Sequence, residues 1–161
     1  MTAIVYVSNT GSSKAYAQML SEKTGFDAYD FRACDSVPEG AEVVFIGWVM
    51  AGALQGLKEV REKFGSLKAV IAVGMMKGEK QDAELKEKNA ITEPFFSLTG
   101  AFDMKKLTGM YKMMMGMMVK MMKSKLSEEN DPKAKEIVEK FEEGFDMVDE
   151  KHLDESLEFL K

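Results

Sequence analysis

The sequence is poor in the residues that disulfides, metal sites and acid–base centres need. Cys34 is its single cysteine, which excludes an internal disulfide and any cysteine-cluster metal site. His152 is its single histidine and sits among acids, so it reads as a surface residue. No Ser-His-Asp or Cys-His arrangement can be drawn around it, and Asp27, Asp30 and Asp35 are spaced too irregularly for a metal cage. The expectation is therefore no metal and no catalytic side chain, with any chemistry carried by a cofactor. Cationic excess is missing too: 22 Lys and Arg stand against 27 Asp and Glu, a net charge of −5. General nucleic-acid binding rests on cations that neutralise phosphates, so that class is excluded. No basic segment followed by an apolar run opens the chain, and no uncharged stretch reaches the roughly 18 apolar residues of a spanning helix. A cytoplasmic protein without a signal peptide is expected.

What is present alternates strand with helix. Ala3–Val7, Val43–Gly47 and Lys68–Gly74 are short, β-branched apolar runs of the kind buried on both faces of a parallel sheet. Phe26–Phe31 and Pro94–Thr99 read as two further strands, the proline suiting only a first position. Helices are expected from Ser13 to Gly25, over Leu57–Phe64 and over Asp82–Lys88, while Arg32–Ala41 has room for about one turn. Such alternation implies an α/β doubly wound five-stranded parallel sheet. Beyond it lie helices over Leu107 to about Leu126 and Pro132 to about Glu143, the second capped by Asp131. A short strand at Phe145–Val148 and a last helix at Leu153–Leu160 complete the chain. No repeat or linker interrupts it, so the expectation is one domain over 1–161 with a helical insertion at about 103–144.

The segment between the first strand and the first helix is Ser8-Asn9-Thr10-Gly11-Ser12-Ser13. A helix start offers backbone N–H groups without intrahelical partners and the positive end of the helix dipole. Small hydroxyl residues let the backbone close around a phosphate and add O–H donors, and Gly11 tolerates dihedrals that a Cβ forbids. A simple helix cap needs one such residue, whereas five of these six are Ser, Thr or Asn. Neither the G-x-G-x-x-G dinucleotide fingerprint nor the Gly-Lys-Ser/Thr ending of a Walker loop is present. Phosphate binding is the expected role.

Ser8-x-Thr10-Gly11-x-Ser13 resembles the phosphate loop of flavodoxins, and order and spacing match over about residues 2–100. The resemblance implies a 2-1-3-4-5 sheet with FMN at the carboxyl ends of the strands. It also implies that loops after the third and fourth strands flank the flavin ring. Here these hold Trp48, Val49, Met50, Ala51 and Gly52 on one side, and Met75, Met76, Lys77 and Gly78 on the other. Flavodoxins commonly stack an aromatic from each loop. Only Trp48 is on offer here, and a core role is equally open to it. Lys14, directly after the loop, is a departure, since such loops commonly bind phosphate without a full positive charge; solvent is the commoner fate of a lysine.

Methionine and charge are both unevenly spread. Nine of 15 methionines fall between Met104 and Met122. Residues 103–126 carry six lysines against one acid, whereas residues 127–161 carry thirteen acids against five lysines. At about 100° per residue, Leu107, Met110, Tyr111, Met114, Met118, Met121 and Met122 make one face, and Lys112, Gly116, Lys120 and Lys123 a narrow opposite stripe. Core packing, a membrane surface, self-association through residues 107–123, and docking of a quinone or redox partner protein all suit such a helix. In position and character the insertion is similar to that of menaquinone-linked protoporphyrinogen oxidases of the flavodoxin superfamily. Leu98-Thr99-Gly100-Ala101-Phe102 and Ile46-Gly47-Trp48-Val49-Met50-Ala51-Gly52 resemble the same branch, which often has Tyr where Met50 stands. That resemblance implies a flavin protein passing electrons near a membrane. The contrasting expectation is a flavodoxin-fold interaction module that has lost its flavin and acts through the Met-rich helix.

Overall fold

Apolar runs without alternation become the central strands of the computed structural model. It describes the chain apart from Thr10, Met76, Lys77, residues 103–108, 130–131, 133–134, 137–138, 140–142 and Lys161. In chain order the main elements are β1 (Thr2–Tyr6), α1 (Ser12–Thr24), β2 (Asp27–Asp30), β3 (Glu42–Met50), β4 (Ala53–Leu54), α2 (Leu57–Phe64), β5 (Ala69–Gly74), α3 (Glu79–Lys88) and β6 (Phe95–Thr99). They continue as β7 (Ala101–Phe102), α4 (Gly109–Glu129), β8 (Phe145–Asp146) and α5 (Asp154–Leu160). Two 3-10 turns joined at a kink at Ala33 cover Phe31–Ser36, and a single one covers Glu150–Leu153.

The chain forms two compact units: residues 1–100 with 148–161, and residues 101–147. In the first, five parallel strands lie in the order β2-β1-β3-β5-β6, which is 2-1-3-4-5 once the hairpin strand β4 is set aside. Alternate residues of each strand feed opposite cores. Ile4, Val44, Ile46, Ile71 and Leu98 meet Tyr16, Ala17 and Leu20 of α1 together with Leu153 and Leu160 of the C-terminal segment. Val5, Val43, Phe45 and Val70 meet Leu57 and Val60 of α2, with Leu85 of α3 packed at the margin. Apolar residues on both faces are what a parallel sheet covered by helices requires. This is the expected doubly wound α/β fold.

Three local expectations are corrected. Trp48, Val49 and Met50 are strand rather than loop: β3 runs three residues past Gly47 and turns back into β4, pairing Met50 with Ala53. Ala51 (φ 52°) and Gly52 (φ 78°) are both left-handed, as the tight two-residue turn of a twisted hairpin demands. Asn89 then holds the hairpin from outside. Its Nδ2 donates to Gly52 O at 3.0 Å, and its Oδ1 accepts from Leu54 N–H at 3.0 Å. Helix α3 begins at Glu79, three residues early, because acids suit the positive end of a helix. His152 is the third correction and belongs with the site below.

In the second unit, β7 and β8 form an antiparallel pair, Ala101 opposite Asp146 and Phe102 opposite Phe145. The single helix α4 replaces the expected one over Leu107–Leu126, with Leu107 outside the described residues. The helix expected over Pro132–Glu143 lies largely outside them as well.

Candidate functional site

Parallel strands deliver their following loops to one edge of the sheet. The segments after β1, β3 and β5, expected to be the functional ones, therefore emerge at the same carboxyl edge, with Tyr6 beside Ile46 and Trp48 beside Val73 in register. Gly56, just after the hairpin, backs onto the end of β1: a Cβ there would stand 2.5 Å from Val7 Cγ2.

The loop after β1 is built by its own backbone and hydroxyls. Ser8 Oγ accepts from Gly11 N–H at 3.0 Å, drawing the loop into a turn, and a hydroxyl that accepts still has its proton to donate. Gly11 takes φ 104°, a conformation that costs a side chain dearly, and the helix starts at the next residue. The N-cap residue, Gly11, has no side chain to cap α1, and no acid stands in its first turn. Ser12 and Ser13 are buried, and Ser13, only 1% exposed, has no hydrogen-bond partner for its Oγ among the described residues. A buried hydroxyl without a partner costs roughly 1–3 kcal/mol. Its position in the first turn of an uncapped helix, over the positive dipole end, fits an acceptor with several oxygens and negative charge. Asn9 is half-buried; Thr10 is outside the described residues.

Close packing fixes this helix start. Gly100, beyond β6, donates its N–H to Gly74 O at 2.9 Å. A Cβ on Gly100 would stand 2.7 Å from Val73 Cγ1 and 3.1 Å from Ser12 Cβ, so only glycine lets the strand end approach α1. Asp30, at the end of β2, is matched by Arg32 through Oδ1 to Nε at 3.2 Å and Oδ2 to Nη2 at 2.9 Å. The Arg32 hydrogen bond holds the Asp30 carboxyl below its ordinary value against an upward push from burial, and Lys14 adds to the lowering. Lys14 itself is exposed.

The two flanking segments differ in how far they are built. Trp48 and Val49 are half-buried and Met50 is buried, while Ala51 is exposed at the hairpin turn. Trp48 shares its strand face with Val44 and Ile46, whereas Val49 packs on the core beneath α2. Met75 is half-buried after β5; Met76 and Lys77 lie outside the described residues.

Sequence reasoning missed a polar cluster one turn below the loop. Tyr16 is fully buried in α1, and its hydroxyl donates to Thr99 O and accepts from Asp149 N–H at 3.2 Å. His152 Nδ1 stands 2.9 Å from the same hydroxyl and 3.3 Å from Thr99 Oγ1. With the phenolic proton given to a carbonyl, a proton on His152 Nδ1 suits the contact with Tyr16. His152 is half-buried and ties the C-terminal segment to α1 rather than sitting on the surface as expected. A lone histidine among acids carries no sign of a partner 136 residues away.

A doubly wound sheet of order 2-1-3-4-5, with a hydroxyl-rich turn leading from its first strand into its first helix, defines a flavodoxin-like α/β protein. The family model described as flavodoxin domain matches residues 3–129, and the chain belongs to that family. Comparison with the curated proteins and with the solved structures gave no match.

Proposed function

We propose that the chain is an FMN-binding redox protein, a flavodoxin-type electron carrier or a small flavin oxidoreductase. The observation that carries this reading is Ser13: a buried hydroxyl with no partner among the described residues, in the first turn of a helix whose N-cap is a glycine. The residues fit a phosphate. Ser8, Asn9, Thr10, Gly11, Ser12 and Ser13 would hold it through hydroxyls and backbone N–H groups. Trp48, Val49, Met50 and Ala51 would line one side of the ring, and Met75, Met76 and Lys77 the other. When bound, the flavin supplies the electron chemistry. The chain's part is to orient the ring between the hairpin and the segment after β5, and to exclude water from one face.

The test is the visible absorption of purified protein given FMN and then desalted. Flavin bands that stay with the protein support the reading. Complete loss of the flavin overturns it and favours the flavin-free interaction module. Carrier and enzyme separate by turnover: the protoporphyrinogen oxidase that the insertion resembles would consume protoporphyrinogen with menaquinone as acceptor, and a carrier would not.

A further inference from the structure

Helix α4 buries a side other than its methionine face. Met115 and Val119 are its buried residues, 1% and 8% exposed. Met110, Met113, Met114, Met117 and Met121 are between 42% and 70% exposed. At about 100° per residue these five fall within an arc roughly 100° wide, on the side away from Met115 and Val119. The methionine face read from the sequence is thus partly outward, with Met113 and Met117 joining it. Lys120 is exposed and borders the stripe, about 20° from Met113, and the same spacing puts position 125, also lysine, at the other border; Lys112 and Lys123, exposed as well, are turned about 130–150° from its centre. From Gly109 to Leu126 the sequence holds four lysines and no acid.

We infer that α4 docks on the surface of an anionic lipid bilayer, its methionines entering the boundary between headgroups and acyl chains and its lysines meeting lipid phosphates. The side chains argue for lipid over a protein partner. Protein interfaces are anchored by Trp, Tyr and Arg seated in shaped pockets. Five unbranched, flexible methionines in a row of about 17 Å present no such anchor, and they suit a fluid boundary. Lysine supplies a compact charge on an apolar stem that can lie along the boundary while its ammonium stays in water. No described helix is long and apolar enough to cross a membrane, so α4 lies on the surface instead. The net charge of −5 does not forbid this, because charges beyond about 8 Å are largely screened at physiological salt.

The experiment is co-flotation of the full chain with phosphatidylcholine vesicles and with vesicles of equimolar phosphatidylcholine and phosphatidylglycerol. It is run with and without added FMN, so failure of flavin binding and failure of docking are separate results. Wild type is expected to float with the anionic vesicles, less so at high salt, and not with the neutral ones. Lys120→Gln/Lys125→Gln should lower partitioning about tenfold or more. Met113→Ser/Met117→Ser should lower it similarly, with helix content by circular dichroism unchanged in both. No flotation of wild type overturns the proposal, as does flotation that neither double variant weakens. A dimer in light scattering that dissociates in the methionine variant, without vesicle binding, overturns it in favour of a second copy.

Discussion

Ser13 separates a structural from a functional hydroxyl by the sign of its effects. A buried Oγ with no partner among the described residues costs stability, so Ser13→Ala should leave the melting temperature of the flavin-free protein unchanged or raise it. The same change removes a hydrogen bond to a charged phosphate, worth roughly 1.5–3 kcal/mol, and should weaken FMN binding about tenfold or more. Equilibrium dialysis and a thermal melt on one preparation check both halves. Destabilisation by more than about 1 kcal/mol with unchanged affinity would make the hydroxyl part of the fold instead. The turn that holds this residue was legible in the sequence as a hydroxyl-rich break between strand and helix. That Ser8 spends its oxygen on Gly11 N–H while Ser13 keeps its own unspent was not, because both are serines in one motif.

At the scale of elements, β1, β3 and β5 were readable because strands buried on both faces show as unbroken apolar runs. The β3–β4 hairpin was hidden: its turn is Ala51-Gly52, without the Asn-Gly or Asp-Gly that announces such turns, and it is held by Asn89, 37 residues from Gly52. The Met-rich helix was readable as a helix, but methionine periodicity does not distinguish a buried face from an exposed one. Arg61 gives this scale its prediction. It joins α2 to the approach of β6, donating to Glu93 through Nε at 3.0 Å and Nη2 at 2.7 Å, and to the carbonyls of Asn89 and Ala90. Burial, the largest single influence, pushes the Glu93 carboxyl up, but the Arg61 hydrogen bonds and charge together with the backbone N–H groups of Glu93 and Thr92 outweigh it and hold the group below its ordinary value. A lowered carboxyl contributes stability above the unfolded value of about 4.3 and loses it as pH falls through the folded value. Arg61→Ala should therefore cost about 2–4 kcal/mol near neutral pH, and the gap to wild type should narrow below about pH 4. Urea melts at both pH values check it. Lys68→Ala, which removes an exposed pair with Glu42, should cost less than about 1 kcal/mol.

For the whole molecule, a ligand that binds only the folded chain raises its stability by mass action, whatever the chemistry that follows. Free FMN at about 100 times its dissociation constant adds about 2.7 kcal/mol. In a chain of 161 residues that corresponds to a rise of about 5–10 °C in melting temperature. The phosphate's share can be isolated, because riboflavin has the same ring system and no phosphate. If the loop after β1 holds the phosphate, riboflavin at the same concentration should give a much smaller rise, and inorganic phosphate should reduce the FMN effect by competition. Equal rises for FMN and riboflavin would place the binding energy on the ring, among the hairpin and the segment after β5, and leave the uncapped start of α1 without its ligand. A full FMN response in wild type that is halved or lost in Ser13→Ala, with the flavin-free melting temperature intact, ties the global effect to one buried hydroxyl.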